Sequence, residues 1–474
     1  MSSVKKVFRS FPKVFWASNF MELFERWAWY GFYMAFALYL TLSKGSGALG
    51  FTQAQKGAIM GTGTMLLYFL PIITGAIADK IGYKKVLILS FITYIIGYYM
   101  VGSFESYEAI FFAYIFLASA GALFKPIISA MIAKTTDEES SSIGFGIFYM
   151  MINIGGFIGP FISGLIYKTS WDLVFYMSMI TVGINFAIVI FFFKEPGREE
   201  NEDTFFMSVW KALKNIFTTL KDIKYLLFLI IMAGFWTAFN QLYYSFPIFL
   251  EDWVDLDRMS LFFGFAPGTI TAVTFTSLDA FFIIAFQLFI STMAMKHRPL
   301  NAMITGILIL SIGLLFMFTG QNPWIAVFGI LIFAVGEMAS SPKFTEYVGR
   351  IAPADKKALY MGTSFLPIAA GHWMAGLLSG DLYARKAEKF TLLQKELATR
   401  GLEIPEITEN FTRADFVNQA AELMGMNQNE LTNYLFSQYH PDRIWILYSG
   451  LAVGTALCLF LYDRFILKSS KLTR

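Results

Sequence analysis

Residues 21–40 read MELFERWAWYGFYMAFALYL, with Glu22, Glu25 and Arg26 set near the start of an otherwise apolar and aromatic run. The run is long enough to cross about 30 Å of hydrocarbon, which takes roughly 20 helical residues. Ionisable side chains at that depth are costly unless they pair or face a wet cavity. Spacings of three and four residues put the two acids and Arg26 on adjoining parts of one helical face. A carboxylate there accepts the guanidinium and is relieved of it when protonated. A membrane helix that turns this charged face inward, against other helices, meets both demands.

The rest of the chain extends the pattern. Of 474 residues, 56% are hydrophobic, 18% aromatic and 15% charged, with 52 Phe and 23 Met. Soluble folds carry about 25% charged residues, so most of this chain belongs in lipid. Twelve spans can be drawn, near 14–42, 54–79, 85–103, 107–133, 142–168, 172–193, 225–250, 269–295, 300–319, 323–350, 357–383 and 442–467. Lys5, Lys6, Arg9 and Lys13 give the first span a signal-like basic start, but its charges and the lack of a small-residue cleavage site mark it as retained. Lys and Arg concentrate in the short loops on the side shared by both termini, which predicts that both ends are cytoplasmic.

One constant offset pairs Gly146 with Gly362, Gly155 with Gly371, Ser163-Gly164 with Ser379-Gly380, Tyr167 with Tyr383, Pro126 with Pro342 and Lys80 with Lys296. This predicts an all-α membrane protein with twelve transmembrane helices in two six-helix pseudo-symmetric bundles and a site between them near the midplane. The bundles are residues 1–194 and 225–474. The stretch 195–224 is a cytoplasmic linker whose second half alternates aromatic and Lys residues as an interfacial helix does. Residues 384–440 form a polar external insertion with two helical patterns, separated by Pro405.

Several function classes drop out. The single Cys458 excludes a disulfide framework, three His make a multi-His metal site improbable on composition, and a net charge of +3 implies no nucleic-acid partner. No Ser-His-Asp order, HExxH, phosphate loop or paired-cysteine motif is present, so catalysis is not expected. His372 reads as a packed or cavity-lining residue. What stands out instead is a set of polar groups within spans: Lys125 before Pro126, Asn240-Gln241, Asp279, and Glu337 followed by Ser341-Pro342. The prolines predict bends that open carbonyls to a cavity.

Two resemblances rest on these residues. GAIADKIGYKKV, with Gly75, Asp79, Lys80, Gly82, Lys84 and Lys85, resembles the loop between the second and third helices of the major facilitator superfamily, with one Tyr inserted before the lysines. It implies a gating latch. Glu22-x-x-Glu25-Arg26-x-x-x-Tyr30 resembles the helix-one motif of the proton-dependent oligopeptide transporters. FKPIIS with Lys125, FYMMINIGGFIGP with Tyr149 and Asn153, GEMASSPKF with Glu337, and FWTAFNQ with Gln241 are similar to further segments of that family.

The resemblance implies proton-coupled import of di- and tripeptides by a transporter of the bacterial inner membrane, acting as a monomer, with protons as coupling ion and no other cofactor. Glu22, Glu25, Arg26 and Glu337 would couple protons. Arg26 and Lys125 would face the substrate carboxylate; Glu337 would hold the ammonium or pair with Lys125; Tyr30, Tyr68, Tyr149 and Asn153 would hydrogen-bond the peptide. Asn240, Gln241 and Asp279 complete the candidate binding set. The chain departs from the family where its helix-seven carboxylate is Asn240, so Asp279 is expected to take over part of the charge balance. Trp29 replaces the second Tyr of the helix-one motif, and Ile127 replaces the helix-four Asn. Another metabolite or drug as cargo, including export, is the first alternative. A scaffold or receptor acting through residues 384–440 is the second.

Overall fold

A computed structural model of the chain describes residues 11–137, 140–195, 205–317, 320–353, 356–408 and 411–467. Lys5, Lys6, Arg9 and the first part of the expected linker, residues 196–204, lie outside that set. Every regular element among the described residues is helical. Nine helices there are long and apolar enough to cross a membrane, or up to ten if one bent pair is counted as a single span.

The first helix, α1 (Lys13–Thr41), is set apart from those nine by Glu22, Glu25 and Arg26, which its interior buries. The bent pair is α2 (Gln53–Phe69) and α3 (Pro71–Ile81), turned by 46° where Pro71 starts the second segment. Then follow α4 (Tyr83–Ser103), α5 (Tyr107–Lys134), α6 (Ser141–Ile166) and α7 (Trp171–Phe191). Helix α1 packs along α6 and α7, α4 along α5, and α2 along α5.

Pro126 lies within a continuous α5. Its missing N–H leaves the Ala122 carbonyl without a helical donor, and Thr74 Oγ1 of α3 donates to that oxygen at 2.5 Å. Pro342 is likewise passed within a continuous α16 (Pro323–Ile351). Neither proline breaks its helix; the breaks fall at Pro71 and at small polar residues and glycine. The span from 223 to 253 divides into α9 (Ile223–Phe239), α10 (Gln241–Tyr244) and α11 (Phe246–Trp253) at Asn240 and Ser245. Helices α13 (Ala272–Thr276) and α14 (Leu278–Ala294) meet at Ser277. Helices α17 (Lys357–Thr363) and α18 (Leu366–Leu377) are separate, and Gly380 beyond them has φ −84° and ψ −117°. Two uninterrupted helices, α15 (Pro299–Phe316) and α23 (Ile444–Leu461), pack together; α15 also lies on α16, and α9 on α18.

Two seams position the site. In one, α2 meets α18 so closely that a Cβ added at Gly57 would lie 2.2 Å from the Gly376 carbonyl oxygen. Beside it Lys56, fully buried, donates to Tyr244 O at 2.8 Å and Ser379 O at 2.9 Å, both at helix interruptions. In the other, α6 meets α13 and α14, with Thr271 Oγ1 donating to Gly164 O at 3.1 Å. At the opposite end of the helices, α8 (Phe205–Leu220) lies against both α3 and α17. A cavity of about 720 Å³ opens there, lined by Pro71, Asp79, Lys211, Lys356 and Thr363 among others. Phe206, Trp210 and Phe217 of α8 are exposed along one side, the pattern of a helix lying in a membrane interface.

Between residues 383 and 440 the two expected helical patterns become four helices: α19 (Tyr383–Ala387), α20 (Lys389–Arg400), α21 (Arg413–Leu423) and α22 (Gln428–Tyr439). Capping boxes at Thr412/Asp415 and Asn427/Glu430 start the last two. Glu396 ties this cap together, accepting from Arg400 Nε at 2.7 Å, Tyr434 OH at 2.7 Å and Tyr439 OH at 2.8 Å. Burial alone would raise its pKa, but these hydrogen bonds hold the carboxyl below its ordinary 4.5. A depressed carboxylate stabilises the fold above its unfolded pKa, and that contribution is lost as pH falls through the folded value. Protease cleavage within residues 401–408 is therefore expected to stay flat above pH 5 and to rise in stronger acid. In Glu396→Gln cleavage should already be fast at neutral pH; equal rates for the two proteins would remove Glu396 from this role.

Candidate functional site

The charged face of α1 is turned inward. A Cβ added at Gly155 of α6 would lie 2.4 Å from Leu23 O and 2.7 Å from Arg26 Cβ, so glycine alone permits this approach. Asn185 Nδ2 of α7 donates to Met21 O at 2.9 Å and fixes the same turn. Within it Arg26 Nε lies 3.0 Å from Glu22 Oε1, and its Nη2 lies 2.5 Å from Glu25 Oε2. All three side chains are buried. Tyr94 of α4 donates a short hydrogen bond to Glu25 Oε1. Arg26 thus finds both carboxylates on its own helix, and its expected need for a partner from the span-seven position does not arise.

Across from this triad, Lys125 Nζ sits 4.4 Å from the centroid of the Tyr68 ring, a cation–π contact. Tyr68 in turn stacks on His372 at 5.1 Å, and His372 Nδ1 lies 3.3 Å from Tyr244 OH and 3.5 Å from Tyr33 OH. His372 is a packed residue among tyrosines, as expected. Lys125 also lies within electrostatic reach of Glu22.

Of the two roles expected for Glu337, the ion pair with Lys125 is not formed among the described residues: Lys125 rests on Tyr68. The Glu337 carboxyl instead lies within electrostatic reach of Asp279 on α14. Two acids buried side by side repel when both are ionised, so a cation or a proton between them is favourable. One oxygen of each, Asp279 Oδ1 and Glu337 Oε2, is buried without a partner. Unsatisfied acceptors of this kind are the complement of an ammonium group. Asp279 thus stands beside Glu337, and the Arg26 triad is closed without it.

Tyrosines join the two charged groups. Tyr30 lies within electrostatic reach of Tyr68, Arg26, Glu337 and Glu25; Tyr243 lies within reach of Tyr30, Glu337, Asp279 and Tyr68. Tyr149 packs beside Ile283, Ala334 and Met338, next to the carboxyl pair, and its hydroxyl is 3.5 Å from Gln287 Oε1. Tyr30, Tyr68, Lys125, Tyr149 and Glu337 all keep partial access, whereas Arg26 and Asp279 are buried behind them.

Three candidates have other occupations. Asn153 donates to the Tyr149 carbonyl of its own helix at 2.8 Å. Gln241 donates to Thr237 O and Ala375 O and accepts from Ser245 Oγ at 2.7 Å, so its amide holds the α9–α18 contact. Asn240 sits at the helix interruption with its Nδ2 buried and unpartnered. In the loop, Gly82 has φ 107°, a conformation glycine adopts freely. The inserted Tyr83 is the hub: its hydroxyl donates to Asp79 Oδ1 at 2.7 Å and accepts from Lys134 Nζ at 2.9 Å. Lys84 Nζ holds the Ile190 carbonyl at 3.0 Å. Lys85 is exposed, and Lys80, half-buried, lies in the last turn of α3.

Residues 18–371 match the Major Facilitator Superfamily. The chain is 26% identical to the peptide transporter YePEPT of Yersinia enterocolitica over 78% of its own length and 88% of that protein's. It is 31% identical to dipeptide and tripeptide permease B of Xenorhabdus bovienii over 184 residues, 38% of this chain and 36% of that one. Its fold matches a POT family transporter solved in complex with 5-aminolevulinic acid, with a TM-score of 0.71 and 18% identity over 98% of this chain and 99% of that one. Inward-turned charges on α1, long apolar helices and these likenesses lead to one conclusion: the chain is an integral membrane protein that belongs to the Major Facilitator Superfamily, a transporter similar to the peptide transporters and not an enzyme.

Proposed function

We propose that this chain imports di- and tripeptides together with protons, by alternating access between bundles formed by residues 1–194 and 225–474 and joined through 195–224. Twelve spans result when α1 and the interrupted α17–α18 segment cross beside the nine long helices and the α2–α3 pair. With both termini cytoplasmic, the end sealed at Gly57 and Gly376 faces outward and the cleft beside α8 faces the cytoplasm. The conformation described is then inward-facing. The protein works as a monomer in the inner membrane, with the proton as its only coupling ion.

One observation carries the reading: Tyr30 lies within reach both of the Arg26 triad and of Glu337, which stands beside Asp279. A peptide zwitterion entering low dielectric needs a cation at one end and an anion at the other, and contacts to its termini tolerate any side chain. Arg26 and Lys125 meet the carboxylate, Asp279 and Glu337 the ammonium. Tyr30, Tyr68 and Tyr149 line the space between. Protonation at Glu22 loosens its hold on Arg26 and frees the guanidinium for substrate. Each proton moved down 100 mV contributes about 2.3 kcal/mol, enough for roughly fiftyfold accumulation.

Uptake of radiolabelled dialanine into proteoliposomes should rise with external acid and a negative interior, and a protonophore should abolish accumulation. Glu22→Gln should remove concentrative uptake and spare counterflow; loss of neither would displace coupling from α1. A different zwitterion as cargo is the competing reading, favoured by Asn240 standing where the resembled family has an acid. Competition by a panel of dipeptides separates the two.

A further inference from the structure

The cap between residues 383 and 440 has no part in the central site, yet it closes over a second cavity. This space, of about 510 Å³, lies at the sealed end, above the seam where Thr271 meets Gly164. Its volume is that of a small-molecule site. Its walls are polar and carry both signs of charge. Glu251 and Asp252, at the end of α11, face Lys168 from beyond α6 and Lys389 from the cap. Asp255 and Asp257, also on its rim, are spent on the loop: Asp255 Oδ1 accepts from Arg258 N at 3.1 Å, and Asp257 Oδ1 from Gly268 N at 2.6 Å.

The cap contributes a patterned face. Asn429, Thr432 and Asn433 recur at i, i+3 and i+4 on α22, which brings all three to one side of the helix, and all three line the cavity. Gln321 and Asn322 come from the chain opposite. Thr432 Oγ1 already donates to Gln428 O at 2.7 Å and Asn322 Oδ1 accepts from Trp324 N at 3.0 Å, which leaves the amides of Asn429, Asn433 and Gln321 to satisfy peptide N–H and C=O groups without selecting side chains. Lys389 is anchored here, its Nζ donating to Thr432 Oγ1 at 2.6 Å and its N–H to Asp252 Oδ2 at 3.2 Å. Burial pushes its ammonium below the ordinary value, with Asp252 and Glu251 opposing the shift.

We propose that this cavity is an external recognition site for short zwitterionic peptides, in which the cap captures substrate over the closed seam before the central site becomes accessible. The inference rests on the peptide reading above for its ligand, but not on transport for its test. The insertion thereby acquires a function: α22 forms one wall of the antechamber, and Lys389 supplies one of its charges.

Isothermal titration of the purified full chain with trialanine reads the site directly. Asn429→Ala/Asn433→Ala, at two exposed positions, should weaken one binding component about tenfold and leave the central one in place. N-acetyl-trialanine amide, which lacks both terminal charges, should compete poorly for that component. Titration curves that superpose for wild type and the double variant overturn the proposal, as does the absence of trialanine binding to the wild type. Failure of the wild type to accumulate trialanine in acid-loaded proteoliposomes, with the double variant still weakened in titration, refutes the importer reading and leaves the cavity assigned. A thermal-unfolding curve for the double variant that matches wild type separates lost binding from a disturbed cap.

Discussion

Arg26→Met is expected to abolish uptake and to destabilise the protein by about 3–5 kcal/mol, because it leaves two carboxylates buried side by side without their cation. Arg26 contacts Glu22 through Nε and Glu25 through Nη2, two separate directions that only a planar guanidinium serves at once. Arg26→Lys should therefore recover part of the stability and little of the uptake. Adding Glu22→Gln and Glu25→Gln to Arg26→Met removes the uncompensated charges and should restore most of the stability while uptake stays absent. Thermal unfolding in detergent, read beside dialanine uptake, checks each step. Normal uptake by Arg26→Met would end the assignment of substrate and proton handling to α1.

Asp279→Asn and Glu337→Gln should each collapse accumulation from the roughly fiftyfold allowed per proton at 100 mV toward equilibration. The argument concerns the proton, not the fold. If the two neighbouring acids share a proton when the carrier is loaded, an amide in place of either carboxyl supplies the donor permanently and needs none. Both substitutions preserve shape, so counterflow of labelled dialanine should persist while response to external acid disappears. Measured in parallel with Glu22→Gln, they tell whether coupling has one seat or two. Full acid-driven accumulation by Asp279→Asn would show that a proton shared there is only structural glue.

The charged positions themselves were legible in the sequence because lipid is an unforgiving solvent: Glu22, Glu25, Arg26, Lys125, Asp279 and Glu337 each stand out from an apolar run. Which of them meet was not legible. A motif places a residue on its own helix, but whether Glu337 faces Lys125 or Asp279 depends on how α16 rotates against α14 and α5, information that no single span contains. The continuity of α5 at Pro126 was hidden for a related reason: the orphaned Ala122 carbonyl is answered by Thr74, on a different helix. Tyr94, Tyr243 and Lys56 were missed. Their polar ends read as ordinary aromatics in an apolar run or, for Lys56, as a lysine near the start of a span that snorkels to water. Only in Tyr83 was the departure from the resembled motif itself the signal, since the inserted side chain became the centre of the loop.

Lys56 has one more consequence. Its ammonium is withdrawn completely from water when α2 and α18 touch, and it rests on two main-chain oxygens with no carboxylate within ion-pair distance among the described residues. Were those helices to part, as the proposed cycle requires, water would reach it. Under the alternating-access reading proposed above, any displacement of that charge along the membrane normal would make the return of the empty carrier depend on voltage.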